Sequence, residues 1–379
     1  MTADILIKNG HVLDPIQGIN EVCDIAIKDG IIVPAEEIKS SKQTINAKGC
    51  WVTPGLIDYH VHTADKITEI GIPQDTFCFA SGVTTVVDAG STGVANYEQF
   101  RSRISASPVR TFAFLNVSSR GLETLKYHED MEPEHFDADK IREFFVRYKD
   151  QLIGIKLRIS KEIVGELKEK PLLNAIEIAE TIGCPVEVHT TNPAIPAKEL
   201  VSMLRPGDIY AHVYQGRGDT ILENDGQLKP EIISARKRGV IFDAANGGNH
   251  FAFSIAGPAI EQAFLPDIIS TDLTTLSLFQ TPQVFSLPFV LSKYLAMGLS
   301  LESVFQASIQ TPARLLGKER ELGSLCYGTC ADVAVHKLVE CPVTFSDSLG
   351  QTLSGTKLLR TEMTVRDGVT VFRQIDFGY

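Results

Sequence analysis

Pro54-Gly55-Leu56-Ile57-Asp58-Tyr59-His60-Val61-His62 reads as a loop entering a short apolar strand that ends in two histidines. Side chains at i and i+2 of a strand leave the same face, so His60 and His62 point the same way. Two imidazoles converging at a strand end can begin a zinc-type site. An isolated His-x-His is as easily an exposed polar pair. What decides is whether the chain supplies further ligands.

The flanks of this stretch are β in flavour. Ile5 to Asp14 alternates around Asn9-Gly10, and Asp24 to Val33 alternates around Asp29-Gly30. Both read as hairpins. Near the other end, Ala331 to His336 and Lys357 to Thr361 read as strands, and Met363 to Phe372 as a hairpin turning at Asp367-Gly368. Short strands at both termini suggest one β-sandwich built from residues 1–52 and 323–379.

Between residues 53 and 322 the rhythm changes. Besides Leu56 to His62, apolar runs recur at Thr84–Val87, Arg110–Val117, Ile153–Ile159, Pro185–His189, Asp208–Val213, Val240–Phe242 and Asp267–Ser270. Helical patterns separate them, as at Asp139–Tyr148, Pro171–Ile182 and Pro230–Arg238. Eight such units over about 270 residues predict an α/β fold, a (β/α)8 TIM barrel, whose chemistry sits at the C-terminal ends of its strands.

Those ends supply polar groups in order. Strand four carries Lys156 inside an apolar run, where an ammonium must be paired or chemically altered. Strand five ends at His189, strand six at His212, and Asp272 follows strand eight. Singly, each has a bland reading: a snorkelling lysine, a hydrogen-bonded core histidine, a helix N-cap. Together with His60 and His62 they require too many coincidences.

The order HxH, Lys, His, His, Asp on strands one, four, five, six and eight resembles the amidohydrolase superfamily, in its binuclear-metal branch. Val52 to His62 resembles that family's signature, and the likeness extends over nearly the whole chain. Within the family the chain is similar to the dihydroorotase-like, amidohydrolase/deacetylase subgroup. The resemblance implies two divalent metal ions, with zinc suiting an imidazole-and-carboxylate set. It implies that His60, His62 and Asp272 hold one metal and His189 and His212 the other. N6-carboxylated Lys156 lies between them. A neutral lysine amine is nucleophilic, and its carbamate is an anionic oxygen donor. Two cations on one hydroxide lower its pKa and polarise a carbonyl, and Asp272 is the implied catalytic proton carrier.

Around this set, Arg158 shares the face of Lys156 and either meets a substrate carboxylate or neutralises a local acid. Asn116 and Ser118, after strand three, either orient substrate or cap a turn. Asp88 ends strand two. After strand seven, the Gly-rich run Asp243 to Phe251 lets backbone approach a ligand, making Asn246, Gly248 and His250 candidate substrate contacts. Relatives tend to place a histidine near position 246. Here Asn246 stands there, with His250 further on, a departure that bears on the substrate.

The function expected is hydrolysis of a C–N amide bond, cyclic or acyclic, or of a small acetyl ester. A purine or pyrimidine deaminase, such as an adenine deaminase, is the alternative. The HxxE shuttle of mononuclear deaminases is missing after both His189 and His212. A non-catalytic scaffold is disfavoured because all six ligand positions are filled.

Composition is that of an ordinary soluble globular protein of 379 residues, 44% hydrophobic and 22% charged. A formal charge of −11 argues against nucleic acid or an anionic membrane as partner, leaving a small-molecule substrate. Neither a leader nor an apolar run of about 18 residues is evident, Lys293 breaking the best candidate, so a cytoplasmic protein is expected. Seven scattered cysteines without a CxxC pair fit free thiols in a reducing compartment. A homo-oligomer is expected.

Overall fold

The computed structural model describes residues 1–124, 127–280 and 283–378. Strands β1 (Thr2–Asp14), β2 (Ile19–Lys28), β3 (Ile31–Val33), β4 (Ser40–Asn46) and β5 (Trp51–Pro54) come first. Then follow β6 (Leu56–Val61), β7 (Val83–Ala89), β8 (Arg110–Asn116), β9 (Leu152–Arg158), β10 (Val186–His189), β11 (Ile209–Ala211) and β12 (Ile241–Asp243). The last are β13 (Val333–Ser346), β14 (Thr352–Arg366) and β15 (Val369–Arg373).

β6 to β12 form a seven-stranded parallel sheet in sequence order. Its two edges meet through a segment that is not a regular strand. Ile268 bridges Asp243 of β12, and Leu273 bridges Val61 of β6, both in parallel. An eighth regular strand over Asp267–Ser270 was expected, but only isolated bridges join the segment to its neighbours. Thr271 donates its backbone N–H and its hydroxyl to the buried Asp58 carboxylate, at 2.9 and 2.7 Å, and Asp272 turns to φ +51°. Within the expected run, Ile269 donates its backbone N–H to Ala307 O of a later helical segment, so the pairing toward β6 begins only where Asp272 N–H reaches His60 O.

Helices alternate with these strands and bury one stripe each. In Lys170–Ile182 the buried Leu172, Ala175, Ile176 and Ala179 recur at helical spacing, with Pro171 in the first turn and Gly183 as left-handed cap. Ala138–Arg147 is capped by Asp137, whose side chain accepts from Lys140 N.

The terminal strands make one connected eight-stranded sheet, ordered β15-β14-β13-β5-β1-β2-β3, with β4 on β1. Ile5, Ile7, Val52, Val333, Val335 and Met363 share its separate core. Asp29-Gly30 and Asp367-Gly368 turn as read, both residues of each pair having positive φ as tight hairpins require. Asn9-Gly10 does not turn. β1 passes through it as a bulge, with Asn9 at φ +62° and its N–H bound to Asp24 across the sheet. The stretches Lys357–Thr361 and Met363 onward, read as separate strands, are one strand, β14. All seven cysteines are free thiols. Among the described residues no helix is long and apolar enough to cross a membrane.

Candidate metal centre

The ends of the parallel strands surround a cavity of about 310 Å³, a volume suited to a small molecule. His60, His62, Lys156, His189 and Asp272 line it. His212 is buried, its ring 4.3 Å from that of His189 and 5.2 Å from that of His60. The ligand atoms of His60, His62 and Asp272 lie within 4.8 Å of one another. So do those of His189, His212 and His250. All six groups expected as ligands therefore converge, together with a third imidazole in the second group.

Hydrogen bonds behind the histidines aim their free nitrogens. Ser91 Oγ donates to Asp88 at 2.8 Å, so it accepts from His62 Nδ1, also at 2.8 Å. His62 Nε2 then faces Asp272 Oδ1 at 3.3 Å. His212 Nδ1 donates to the Ala245 carbonyl at 2.7 Å, leaving the lone pair on Nε2, a buried atom with no hydrogen-bond partner among the described residues. His60 Nδ1 lies 2.6 Å from Glu187 Oε1 and 3.2 Å from Asp243 Oδ2.

Charge follows from the same contacts. Burial holds the imidazoles of His189 and His212 well below the ordinary histidine range, and nearby cationic groups add to this. Both are neutral, as ligands must be. Burial also takes His250 down to about 4, against the pull of Asp272. His60 differs. Burial and Lys156 press it down, but Glu187 and Asp243 more than offset them and raise it to about 9. Asp272 is held below the usual carboxylate range: burial raises it, while the bond to His62 and the neighbouring imidazoles prevail.

Lys156 is 2% exposed, its Nζ 2.7 Å from Glu187 Oε1 and 3.4 Å from His60 Nε2. Burial raises the Glu187 carboxyl, but the charges of Lys156 and His60 overcome it and bring it to about 2. Of the two fates open to a lysine in this strand, the unmodified side chain takes the paired one.

Backbone strain gathers here. His212 and Asp272 sit at φ +65° and +51°, a region that side-chain-bearing residues enter at a cost, in tight turns and at working sites. Gly247, at φ +49°, is pressed so close that an added Cβ would lie 2.4 Å from Asp272 Oδ2.

The expected substrate contacts divide. Arg158 lines the cavity but forms a two-pronged pair with Glu129, Nε to Oε1 at 2.6 Å and Nη2 to Oε2, so it neutralises a local acid. Asn116 reaches the cavity, yet it donates to Gly90 O and accepts from Ser118 N, organising the turn. Ser118 is buried in that turn. Asn246 is fully buried, donating to Ser270 O and accepting from Tyr294, and does not line the cavity. Gly248 and His250 do line it. Sequence reasoning gave no role to Glu187, Asp243, Ser91 or Thr191. Glu187 was within reach, since it lies two residues before His189 on one strand face. Arg217, a cavity residue from a loop, carried no sequence signal.

The chain matches no family model. It is 32% identical over 337 residues to a deacetylase of Brucella anthropi, covering 88% of this chain and 83% of that protein. Among solved structures it is similar to an adenine deaminase, with TM-score 0.90 and 27% identity, covering 98% of this chain and all of that one. It is also similar to a dihydroorotase, with TM-score 0.86 and 29% identity, covering 98% of each.

Proposed function

Because the chain belongs to the amidohydrolase superfamily, among its dihydroorotase-like and deacetylase members, we propose that it is a binuclear metal-dependent hydrolase of a small N-acyl compound, cyclic amide or acetyl ester. Hydrolysis at a C–N bond is the chemistry this membership brings. The observation that carries the metal reading is His212 Nε2, a buried lone pair grouped with the His189 and His250 imidazoles and without a hydrogen-bond partner among the described residues. A buried acceptor left unmatched costs about 1–3 kcal/mol, and a cation would satisfy it. His60 fits too, since a cation at Nε2 would replace the second proton that Glu187 and Asp243 otherwise draw onto the ring.

In this reading His60, His62 and Asp272 hold one divalent ion and His189 and His212 the other, with carboxylated Lys156 shared. Zinc is the favoured metal. Bound there, the ions would lower the pKa of a water and polarise the scissile carbonyl. The residues do the rest. Asp272, steered by His62, takes a proton from the attacking water and returns it to the leaving nitrogen or oxygen. Ser91–Asp88 and Glu187–Asp243 fix the ring orientations of His62 and His60. Asn116, Arg158, Gly248 and His250 shape the cavity for an organic substrate.

The accompanying architecture is a (β/α)8 barrel of residues 53–322 with a β-sandwich of residues 1–52 and 323–379. A cytoplasmic homo-oligomer acting on a small molecule completes the proposal. Amidine hydrolysis, suggested by the adenine deaminase likeness, needs the same machinery. Among the described residues, however, the cavity is lined by no Phe, Tyr or Trp on which a purine would stack. A panel of N-acyl amino acids, cyclic ureides, acetylated hydroxy acids and aminopurines, assayed with metal-loaded protein, separates the readings. Carboxylate release with about two metals per chain is expected. Ammonia release from aminopurines alone would select the deaminase, and a content never above one metal would overturn the binuclear centre.

A further inference from the structure

We infer that His250 is a third imidazole ligand of the second metal position, beside His189 and His212, in addition to shaping the cavity. This rests on the binuclear reading above. The three donor nitrogens already lie within 4.8 Å of one another. The His250 ring is 4.2 Å from that of His212 and 4.9 Å from that of His189. Two zinc–nitrogen bonds of about 2.1 Å at a tetrahedral angle hold their nitrogens about 3.4 Å apart, so a closure of roughly an ångström suffices.

The surroundings of His250 suit a ligand. Thr191 Oγ1 lies 2.8 Å from Nδ1 and accepts from it in the tautomer that leaves Nε2 bare. Nε2 faces the site, 3.6 Å from Asp272 Oδ2. This is how ligating histidines are generally held, with one nitrogen tied behind and one free. The loop is built for the approach. At Gly247 a Cβ would lie 2.7 Å from His250 Cδ2 as well as against Asp272, so only glycine lets the backbone seat this ring there. A residue serving substrate alone does not need such proximity to two other imidazoles.

The test uses chelator-stripped full-length protein titrated with cobalt(II), followed by visible d–d absorption and by metal analysis after dialysis. Wild type and His250→Ala are compared, with His250→Asn to keep a polar loop residue and circular dichroism to verify folding. Both variants should retain the first ion at wild-type affinity. They should hold the second about tenfold or more weakly, with an altered absorption band, at least the loss typical of disturbed ligand shells. Two ions bound with unchanged affinity and band would overturn the inference, leaving His250 to substrate, whether or not KM moves. If wild type binds only one ion, the binuclear reading fails separately. A weakened single ion in the variants would then still support His250 as a ligand, and an unchanged one would overturn it.

Discussion

Glu187→Gln should change stability with opposite tendencies in two states of the same protein, because the charge facing Glu187 depends on the chemistry of Lys156. As an ammonium, Lys156 lies 2.7 Å from Glu187 Oε1, with side chains 3% and 0% exposed. At that distance the attraction is about 6 kcal/mol for an effective dielectric of 20. Removing one partner of such a buried pair typically costs about 3–5 kcal/mol. In metal-free protein kept free of CO2, Glu187→Gln should therefore lose about that much. If metal and bicarbonate convert Lys156 to a carbamate, the same substitution removes a buried like charge. Its cost should then fall below about 1 kcal/mol or become a gain. His60 Nδ1 also contacts Glu187 Oε1; the amide oxygen of Gln still accepts from it in both states, while the charge of its imidazolium adds to the loss in the metal-free state alone and widens the same difference. Chemical denaturation of wild type and variant, each with and without saturating metal and bicarbonate, gives the double difference. An equal cost in both conditions would refute the idea that Lys156 changes charge.

Asp272→Asn keeps the fold, because Asn is nearly isosteric, but should lower activity by roughly 10²–10⁴-fold, the range for losing general acid–base catalysis. Steady-state kinetics beside a thermal melt checks both halves, and a variant within a few-fold of wild type would leave Asp272 without its proton role. Lys293 is buried with its Nζ 3.5 Å from the Phe251 ring centre, and burial brings its amine down to about 7. Since its folded pKa lies below its unfolded one, wild type should gain stability as pH rises from about 7 to 10.5. Lys293→Met should remove that slope and stabilise the protein by about 1–3 kcal/mol at pH 7, the lost cation–π contact offsetting part of the gain. Urea titrations at pH 7 and 10 measure it. His336, buried on β13, is brought by burial to about 3. As pH falls from about 6.5 to 3 the unfolded chain takes a proton the folded one does not, costing about 1.4 kcal/mol per pH unit. Melting curves of His336→Gln across that window should be flatter by this one proton, and an unchanged slope would exclude it.

The positions of the candidate ligands were legible because most lie in or at the end of apolar runs of the length and character of central parallel strands, where a polar side chain faces the C-terminal end of the barrel. What escaped depended on contacts between distant residues. Arg158 gave no hint that Glu129, from the loop after β8, would claim its guanidinium. The eighth strand read as regular, but Ile269 gives its N–H to Ala307 and Thr271 just beyond is tied to Asp58, more than two hundred residues earlier. Asn9-Gly10 carries the usual signal of a hairpin, but the partner it meets is Asp24 on a neighbouring strand, and a bulge satisfies the same positive φ as a turn. Asn246 sits in the Gly-rich loop as expected, yet Ser270 and Tyr294 take its amide into the interior and leave Gly248 and His250 at the cavity.

The position of β5 has a consequence for how the protein is made. One edge of β5 pairs with β1, and the other pairs with β13, Pro54 lying opposite Val333. Nearly 280 residues separate those partners, and a ribosome adding about 5–20 residues per second needs roughly 15–60 s to deliver the second. Through that interval the first strands wait with an open edge, the kind of surface that recruits a strand from another nascent chain. The strands of the central parallel sheet are all synthesised before the unit that was begun ahead of it can be completed. In cells, what guards the early strands during that wait will bear on yield as strongly as the stability of the finished protein.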